Sequence, residues 1–510
     1  MSWRGLSVFG LLLVLLAAMM LVPAVFVLAT DGSVNLAWAF IVSAVMTGMG
    51  GGLFLIATYR RVGRSAVVDE FGVLLAALLI MPAAAAIPMA LTVPYLPFEA
   101  VYFEMVSTFT TTGASVFDDT TKVHPAIHLW RGMTAWLGGF IALIMAYALL
   151  APRNLGGFEV RADLGRSGAV GRLRGDPKWA GGREQEAAAD RVASAIRQVT
   201  PVYVSLTGGL FVLLVIAGAD PLVAVISAMS TLSTSGVQPV NGPVFAGGGF
   251  AAEAIVFVFL IMAVTRHTYG SGGQGPLRFY RLPSDPEMRI LVVAVLGVSG
   301  WLFLRHWIGI LDLEAADPIP PITAFWGALF TALSFATTTG FESADWDAAR
   351  MWSGLENTSL VLFGLVIMGG GVATTAGGVK LLRAYALFKH GTREMERLVR
   401  PSSISGSGSA KRGLRREGAQ IAWVFVMLFL VALALTLLAL SVTGLAFEPA
   451  LAASIAALSN TGPIFTTAEP NSSWLTSVSA EGRAVLIVAM VLGRVELLAL
   501  IAMLNADNWR

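Results

Sequence analysis

Four short segments of this chain repeat one design, in which hydroxyl-bearing residues close an apolar run and a single glycine follows. They read Ser-Thr-Phe-Thr-Thr-Thr-Gly (107–113), Ser-Thr-Leu-Ser-Thr-Ser-Gly (230–236), Ser-Phe-Ala-Thr-Thr-Thr-Gly (334–340) and Leu-Ser-Asn-Thr-Gly (458–462). Their glycines stand 123, 104 and 122 residues apart, which marks a long internal repeat. Glycine after small polar residues lets the backbone take conformations closed to other residues. Four copies of such a unit in one chain constrain the fold more than any other feature.

The surroundings of the repeats are those of a membrane protein. Of 510 residues 56% are hydrophobic and 13% charged, with a mean hydropathy of +0.74. A soluble domain carries about 25% charged residues. Ten apolar stretches meet the requirement of about 20 residues for a crossing. They lie near 8–29, 36–58, 71–93, 130–151, 197–218, 249–266, 289–311, 353–386, 420–444 and 483–504. The first is longer than a signal-peptide core and lacks a small-residue cleavage site, so it reads as a retained helix. There is no cysteine, which excludes disulfides and thiolate metal sites.

Basic residues crowd into 60–64, 153–197, 266–289 and 380–416, while the alternate connections hold scattered ones such as Lys122, Arg350 and Arg483. The positive-inside rule then places both termini and the basic loops in the cytoplasm. All four glycine segments fall on the outer side. Each lies between two long apolar helices and follows a shorter semi-apolar piece, the first being 97–110. Fourteen helical residues span about 21 Å, short of a core of about 30 Å, so a re-entrant half-helix is predicted. Its C-terminal end carries partial negative charge, and four such ends aimed at the membrane centre favour a cation. Backbone carbonyls facing a common axis can replace an ion's hydration shell. Irregular backbone at that depth must be buried in protein or line a wet cavity, so the four segments are expected to meet.

Two further features belong to this pathway. The stretch 353–386 contains Met-Gly-Gly-Gly-Val-Ala-Thr-Thr-Ala-Gly-Gly (368–378), and each glycine costs a helix about 1 kcal/mol relative to alanine. A break facing a cavity inside the filter is predicted there, one able to obstruct the pore; close packing through small residues is the alternative. Arg494 lies midway along the last apolar stretch, where a charge costs at least about 2.5 kcal/mol. It reads as pore-facing, against a structural pairing with Glu496, which is only two positions away and on another helix face.

Together these motifs resemble the TrkH/KtrB/HKT superfamily of potassium transporters. The resemblance covers nearly the whole chain. It rests on Thr-Thr-Thr-Gly-Ala-Ser (110–115), Thr-Thr-Thr-Gly-Phe (337–341), Ser-Asn-Thr-Gly-Pro (459–463), Trp-Leu-Gly-Gly (136–139), Ala-Gly-Gly-Val-Lys (376–380) and Leu-Gly-Arg-Val-Glu (492–496). The extra N-terminal helix pair makes the chain most like the TrkH branch. The resemblance implies an all-α membrane protein of ten transmembrane helices, with four membrane–pore-loop–membrane repeats around one pore. The corresponding division is an N-terminal pair (1–65) and repeats at 66–195, 196–285, 286–418 and 419–510. The implied ion filter comprises Thr111, Thr112, Gly113, Thr234, Ser235, Gly236, Thr338, Thr339, Gly340, Asn460, Thr461 and Gly462. The implied gate comprises Gly369, Gly370, Gly371, Thr374, Thr375, Gly377, Gly378, Lys380 and Arg494. Potassium is the expected substrate, no cofactor is expected on the chain, and the setting is a bacterial cytoplasmic membrane. A homodimer, a cytosolic nucleotide-binding regulatory ring of the TrkA/KtrA type and membrane lipid are the implied partners; nucleic acid is not one.

Two positions depart from the family pattern: Ser235 stands where a second glycine is common, and Val372-Ala373 where serines are. The first bears on discrimination among cations and the second on gating. Gly113 points by analogy to potassium, since a serine there accompanies sodium permeation in some plant relatives. Three other functions compete: a less selective potassium/sodium permease, a proton- or sodium-coupled secondary transporter, and a membrane enzyme. Inverted transporter repeats would put half of the glycine segments on the cytoplasmic side. An enzyme needs paired carboxylates, a nucleophile with its base, or metal ligands, and the five histidines (124, 128, 267, 306 and 390) are scattered. The glycine-rich 270–275 lacks the Lys-Ser/Thr of a phosphate loop. Segment 401–410 reads as a flexible linker and 183–198 as a short surface helix. The basic clusters set topology and can also meet anionic lipid or the regulatory partner. Asp118, Asp119, Asp312, Glu314 and Asp317 form an outer acidic rim.

Overall fold

The computed structural model describes residues 8–496 except 59–66, 118, 154–155, 161–179, 241, 244, 246, 270–281, 283–284, 310–319, 356, 400–415 and 469–477. Asp118, Asp312, Glu314, Asp317, the 270–275 turn, the 401–410 linker and the last apolar stretch beyond 496 therefore lie outside the described residues. Among the described residues every regular element is helical.

The chain opens with α1 (Val8–Thr30) and α2 (Val34–Thr58), an antiparallel pair in close contact along its length. Then follow α3 (Val67–Thr92), the short α4 (Phe98–Phe109) and α5 (Pro125–Met145), whose last turns widen into a π-helix at 146–150. The next unit comprises α6 (Ala180–Ile216), the short α7 (Pro221–Ser233), α8 (Gly249–Val264) and one turn, α9 (Arg266–Tyr269). A third holds α10 (Pro286–Gly309), the short α11 (Pro321–Ala336), α12 (Trp346–Ser353), α13 (Ser359–Met368) and α14 (Leu381–Val399). The fourth holds α15 (Arg416–Val442), the short α16 (Phe447–Ser459), the single turn α17 (Ile464–Ala468) and α18 (Ala480–Val495).

Seven helical stretches among the described residues are long and apolar enough to cross a bilayer, from α1, α2, α3, α5, α6, α10 and α15. The three other expected crossings are accounted for differently. The stretch at 249–266 ends after the 16 residues of α8. The stretch at 483–504 is described only to Glu496. The stretch at 353–386 is divided: Gly354 turns left-handed between α12 and α13, and the helix stops again at Met368. The surface helix expected at 183–198 is no separate element, because α6 runs through it and through Pro201 as one helix of 37 residues.

Burial follows the repeat. The short helices α4, α7, α11 and α16 bury most of their second halves, whereas the crossing stretches of α1, α2, α6, α10 and α15 are no more than 33% buried. In a chain with this composition the outward apolar faces meet lipid tails, which are as apolar as leucine. The centre holds the hydroxyl-rich helix ends. Four carry the same position in four separate units, and the core is built around them.

Candidate functional site

Each glycine segment ends its short helix with the same two hydrogen bonds. The N–H of the residue before the glycine donates to the carbonyl five residues back: Thr112 to Ser107 (2.8 Å), Ser235 to Ser230 (3.0 Å), Thr339 to Ser334 (3.0 Å) and Thr461 to Ala456 (2.8 Å). The preceding N–H donates to the carbonyl three back: Thr111 to Thr108, Thr234 to Thr231, Thr338 to Phe335 and Asn460 to Ala457. This is the Schellman arrangement, whose left-handed position is usually glycine. Here it is held by Thr111 (φ 55°), Thr234 (φ 51°), Thr338 (φ 60°) and Asn460 (φ 54°). A β-branched residue there is an outlier that costs on the order of 1–3 kcal/mol. Three of the four units accept that cost, and the fourth uses the better-tolerated asparagine.

The hydroxyls have divided roles. In the first three units the side chains flanking the left-handed residue bond to each other: Thr110 to Thr112 (2.8 Å), Ser233 to Ser235 (3.0 Å) and Thr337 to Thr339 (3.1 Å). Ser235 also donates to Ser230 (3.1 Å), so its side chain is turned back into its own unit. At the first position of the motif, Ser107 donates to the Ala114 carbonyl (2.7 Å) and Ser334 accepts from the Phe341 N–H (2.6 Å). The glycine is thereby pinned from both sides.

The four loops touch in cyclic order. A Cβ added at Gly113 would lie 1.9 Å from the Ser235 carbonyl oxygen, and one at Gly236 would lie 2.1 Å from that of Thr339. One at Gly340 would lie 2.8 Å from Pro463, and one at Gly462 would lie 2.1 Å from the Ala114 nitrogen. Gly462 also donates its N–H to the Thr112 carbonyl (2.5 Å), and the Asn460 amide donates to the Thr112 hydroxyl (3.1 Å). Gly113, Gly236 and Gly340 take left-handed φ values of 76°, 65° and 82°. Gly462 does not; it is glycine because of the close backbone beside it. The twelve residues singled out from the sequence thus come together in one place, at the C-terminal ends of four half-length helices.

The broken segment lies directly against them. Backbone bonds from Val379 to Ile367, Lys380 to Met368 and Leu381 to Gly370 close 371–378 into a loop with a narrow neck. The neck needs glycine: a Cβ at Gly369 would lie 2.2 Å from the Gly377 carbonyl oxygen, and one at Gly378 would lie 2.7 Å from the Gly369 Cα. At its tip Thr375 donates to the Leu232 carbonyl (3.3 Å) and accepts from Thr234 (3.0 Å). The Gly377 N–H donates to the Thr338 hydroxyl (2.9 Å), and a Cβ there would lie 2.0 Å from the Ser459 carbonyl oxygen. The tip is tied to three of the four helix ends. Two of those ties run through the strained left-handed threonines.

Arg494 donates from Nη1 to the Thr375 carbonyl (2.5 Å), while its Nε and Nη2 are buried without a hydrogen-bond partner. Pairing with Glu496 does not occur. Glu496 instead accepts from Arg383 (2.9 Å), whose guanidinium also lies 3.8 Å from the centre of the Phe425 ring. Lys380, left-handed at φ 84°, turns its ammonium back to the Ala376 carbonyl. Thr374, Gly377, Lys380 and Arg494 line one cavity under the helix ends, together with the α5 residues Gly138 and Ile141. Gly369, Gly370, Gly371, Thr375 and Gly378 are absent from its lining: Gly369, Gly370 and Gly378 serve the neck, Gly371 lies against the Val264 carbonyl, and Thr375 is at the tip.

Two buried carboxylates behind the loops were not singled out from the sequence. Glu104 on α4 pairs with Arg131 on α5 (2.6 Å) and accepts the Val116 N–H (2.8 Å), while Arg131 reaches the Gln238 carbonyl (3.4 Å). Glu253 on α8 accepts from Trp326, Ser343 and the Ala344 N–H, each at 2.7 Å. The signal that could have found them is their charge inside apolar stretches, the same reasoning that picked out Arg494. Asp119 bonds to Thr121 and Lys122, which hold its carboxyl below the usual range. Glu342, two residues past the third glycine, accepts from Thr467, and burial pushes its carboxyl above the usual range. His124 and His128 have separate partners, Asp31 and the Thr120 carbonyl.

Comparison with known proteins agrees with this architecture. The chain is 27% identical over 522 aligned residues to the Trk system potassium uptake protein TrkH of Vibrio parahaemolyticus, covering all of both chains. It is 25% identical to the protein of that name from Escherichia coli K12, over 82% of this chain and 80% of the other. The crystal structure of the potassium transporter TrkH from Vibrio parahaemolyticus superposes with a TM-score of 0.77 at 25% identity, again over the full length of both. The profile of the TrkH family, described as a cation transport protein, matches residues 252–508. The chain is a multi-pass membrane protein that belongs to the TrkH family.

Proposed function

We propose that this protein takes up potassium across a bacterial cytoplasmic membrane through the ring of four glycine loops. The observation that carries the reading is the recurrence of one strained helix end four times, with the loops in cyclic contact. Relatives along the whole chain are named potassium uptake proteins. In this reading the chain is ten membrane spans, with an N-terminal pair at 1–65 and four repeats at 66–195, 196–285, 286–418 and 419–510. The ion sheds part of its hydration shell between the carbonyls and hydroxyls of 111–113, 234–236, 338–340 and 460–462. The negative ends of α4, α7, α11 and α16 favour it there. The loop 369–378 is the gate and Arg494 holds it closed through Thr375. Both termini face the cytoplasm, where a nucleotide-binding ring docks on the basic loops, and the protein is a homodimer.

The test is cation entry into liposomes carrying the purified protein, comparing potassium, rubidium and sodium, with Gly113→Ser in parallel. A serine side chain must displace the Ser235 carbonyl, so potassium and rubidium should exceed sodium in the parent protein and lose that preference in the variant. Equal entry of all three cations in the parent protein refutes the potassium assignment. No entry, even with the cytosolic ring added, refutes the pore.

A further inference from the structure

The two carboxylates behind the loops differ in one respect. Glu104 is neutralised by Arg131 at 2.6 Å. Glu253 is 2% exposed and has no ion pair among the described residues; three neutral donors surround it instead. Trp326 and Ser343 donate to Oε2, and the Ala344 N–H donates to Oε1. The indole and backbone N–H groups can only donate, so both oxygens act as acceptors. The donors come from α11 and from the chain leaving the third glycine loop, only three and four residues beyond Gly340. Glu253 itself stands on α8, in the preceding unit. A second buried contact steadies the same turn, from the Ser343 N–H to the Thr331 hydroxyl (3.3 Å).

We propose that Glu253 is a positioning residue that determines cation specificity at the third loop. Its carboxylate ties the outgoing arm of that loop to the half-helix α11, which fixes where the Thr338, Thr339 and Gly340 carbonyls stand. Its charge, unmatched by a basic group, adds a fixed negative potential beside the ring. Loop 1 is held by a neutral pair and loop 3 by a net charge, so the ring is electrostatically uneven. Selectivity among alkali cations depends on the geometry and field of such oxygens. The inference rests on the reading of these loops as a filter.

The test measures potassium, rubidium and sodium entry into liposomes for Glu253→Gln, Ser343→Ala and Gly340→Ser. Glutamine keeps the size but removes the charge and turns an amide NH2 toward one set of donors. Ser343→Ala removes the hydroxyl's bond to Glu253 and the one it accepts from the Asp345 N–H (3.1 Å), and leaves the charge. The expected result is a potassium-to-sodium ratio reduced about fivefold or more by Glu253→Gln and less by Ser343→Ala, one net hydrogen bond being worth about that factor. Glu253→Asp, which retains the charge, should recover part of the ratio, whereas a purely structural role would move only total flux and thermal stability. An unchanged ratio in Glu253→Gln with a changed one in Gly340→Ser overturns the role of Glu253 and leaves the filter standing. Unchanged ratios in both overturn the filter reading as well. If Glu253→Gln fails to fold, Ser343→Ala and Glu253→Asp decide, and a parental ratio in both rejects the proposal.

Discussion

At the residue scale the site depends on polar groups that a membrane interior tolerates only when satisfied. Glu104 and Arg131 show the principle most simply, being 0% and 2% exposed and bonded to each other. Removing one partner of such a pair leaves an uncompensated buried charge, which typically costs about 3–5 kcal/mol. Arg131→Met should therefore lower the thermal unfolding midpoint in detergent sharply, because buried Glu104 keeps the Val116 N–H but loses its counter-charge. The double variant Glu104→Gln/Arg131→Met should recover part of that loss. A double variant no more stable than Arg131→Met alone would mean that the pair's charge is not what holds α4 to α5. The left-handed threonines follow a related logic: Thr234 and Thr338 offset backbone strain with bonds to Thr375 and Gly377, whereas the Thr111 hydroxyl is buried without one.

At the scale of elements the broken segment is held by a few individually modest contacts. Thr375 bonds to Leu232 and Thr234 through its side chain and to Arg494 through its carbonyl. A net hydrogen bond is worth about 1 kcal/mol, so losing one or two shifts a closed–open equilibrium roughly 5- to 30-fold. Thr375→Val and Arg494→Ala should each raise potassium flux on that order while the potassium-to-sodium ratio stays put. Liposome flux and selectivity measured on the same preparations decide between gate and filter. A loss of selectivity at unchanged flux would place these residues in the filter instead. The half-length of α4, α7, α11 and α16 is equally an element-scale property, since helices of 12–16 residues cannot cross the core and must end inside it.

At the scale of the whole molecule the prediction concerns orientation. The chain has no cysteine, so single cysteines report accessibility without background. Tyr95, 68% exposed before the first short helix, and Met395, 60% exposed on α14, lie on opposite sides in the topology set by the basic loops. A membrane-impermeant thiol reagent applied outside intact cells should label Tyr95→Cys and spare Met395→Cys, with the reverse in inside-out vesicles. Labelling of both from one side would contradict four parallel repeats. It would support inverted ones.

The sequence by itself determined the membrane class, the fourfold repeat, the half-helices and the glycine segments, because composition, run length and repeat spacing are local properties of the chain. It also marked Gly369–Gly371 and Arg494 as anomalous, since helix-breaking residues and buried charge are costly wherever they occur. It did not determine partners. Arg494 met the Thr375 carbonyl while Glu496 met Arg383, although they are two residues apart, because the helix ends at Val495 and Glu496, with φ 67°, leaves its axis. It did not reveal that α6 continues through Pro201, or that α8 stops after 16 residues. Nor could it supply the partners of Glu253, whose three donors lie 73 to 91 residues away. Only the tertiary structure brings such groups together: a buried carboxylate is stable only where distant donors converge on it, and spacing along the chain carries no record of that convergence.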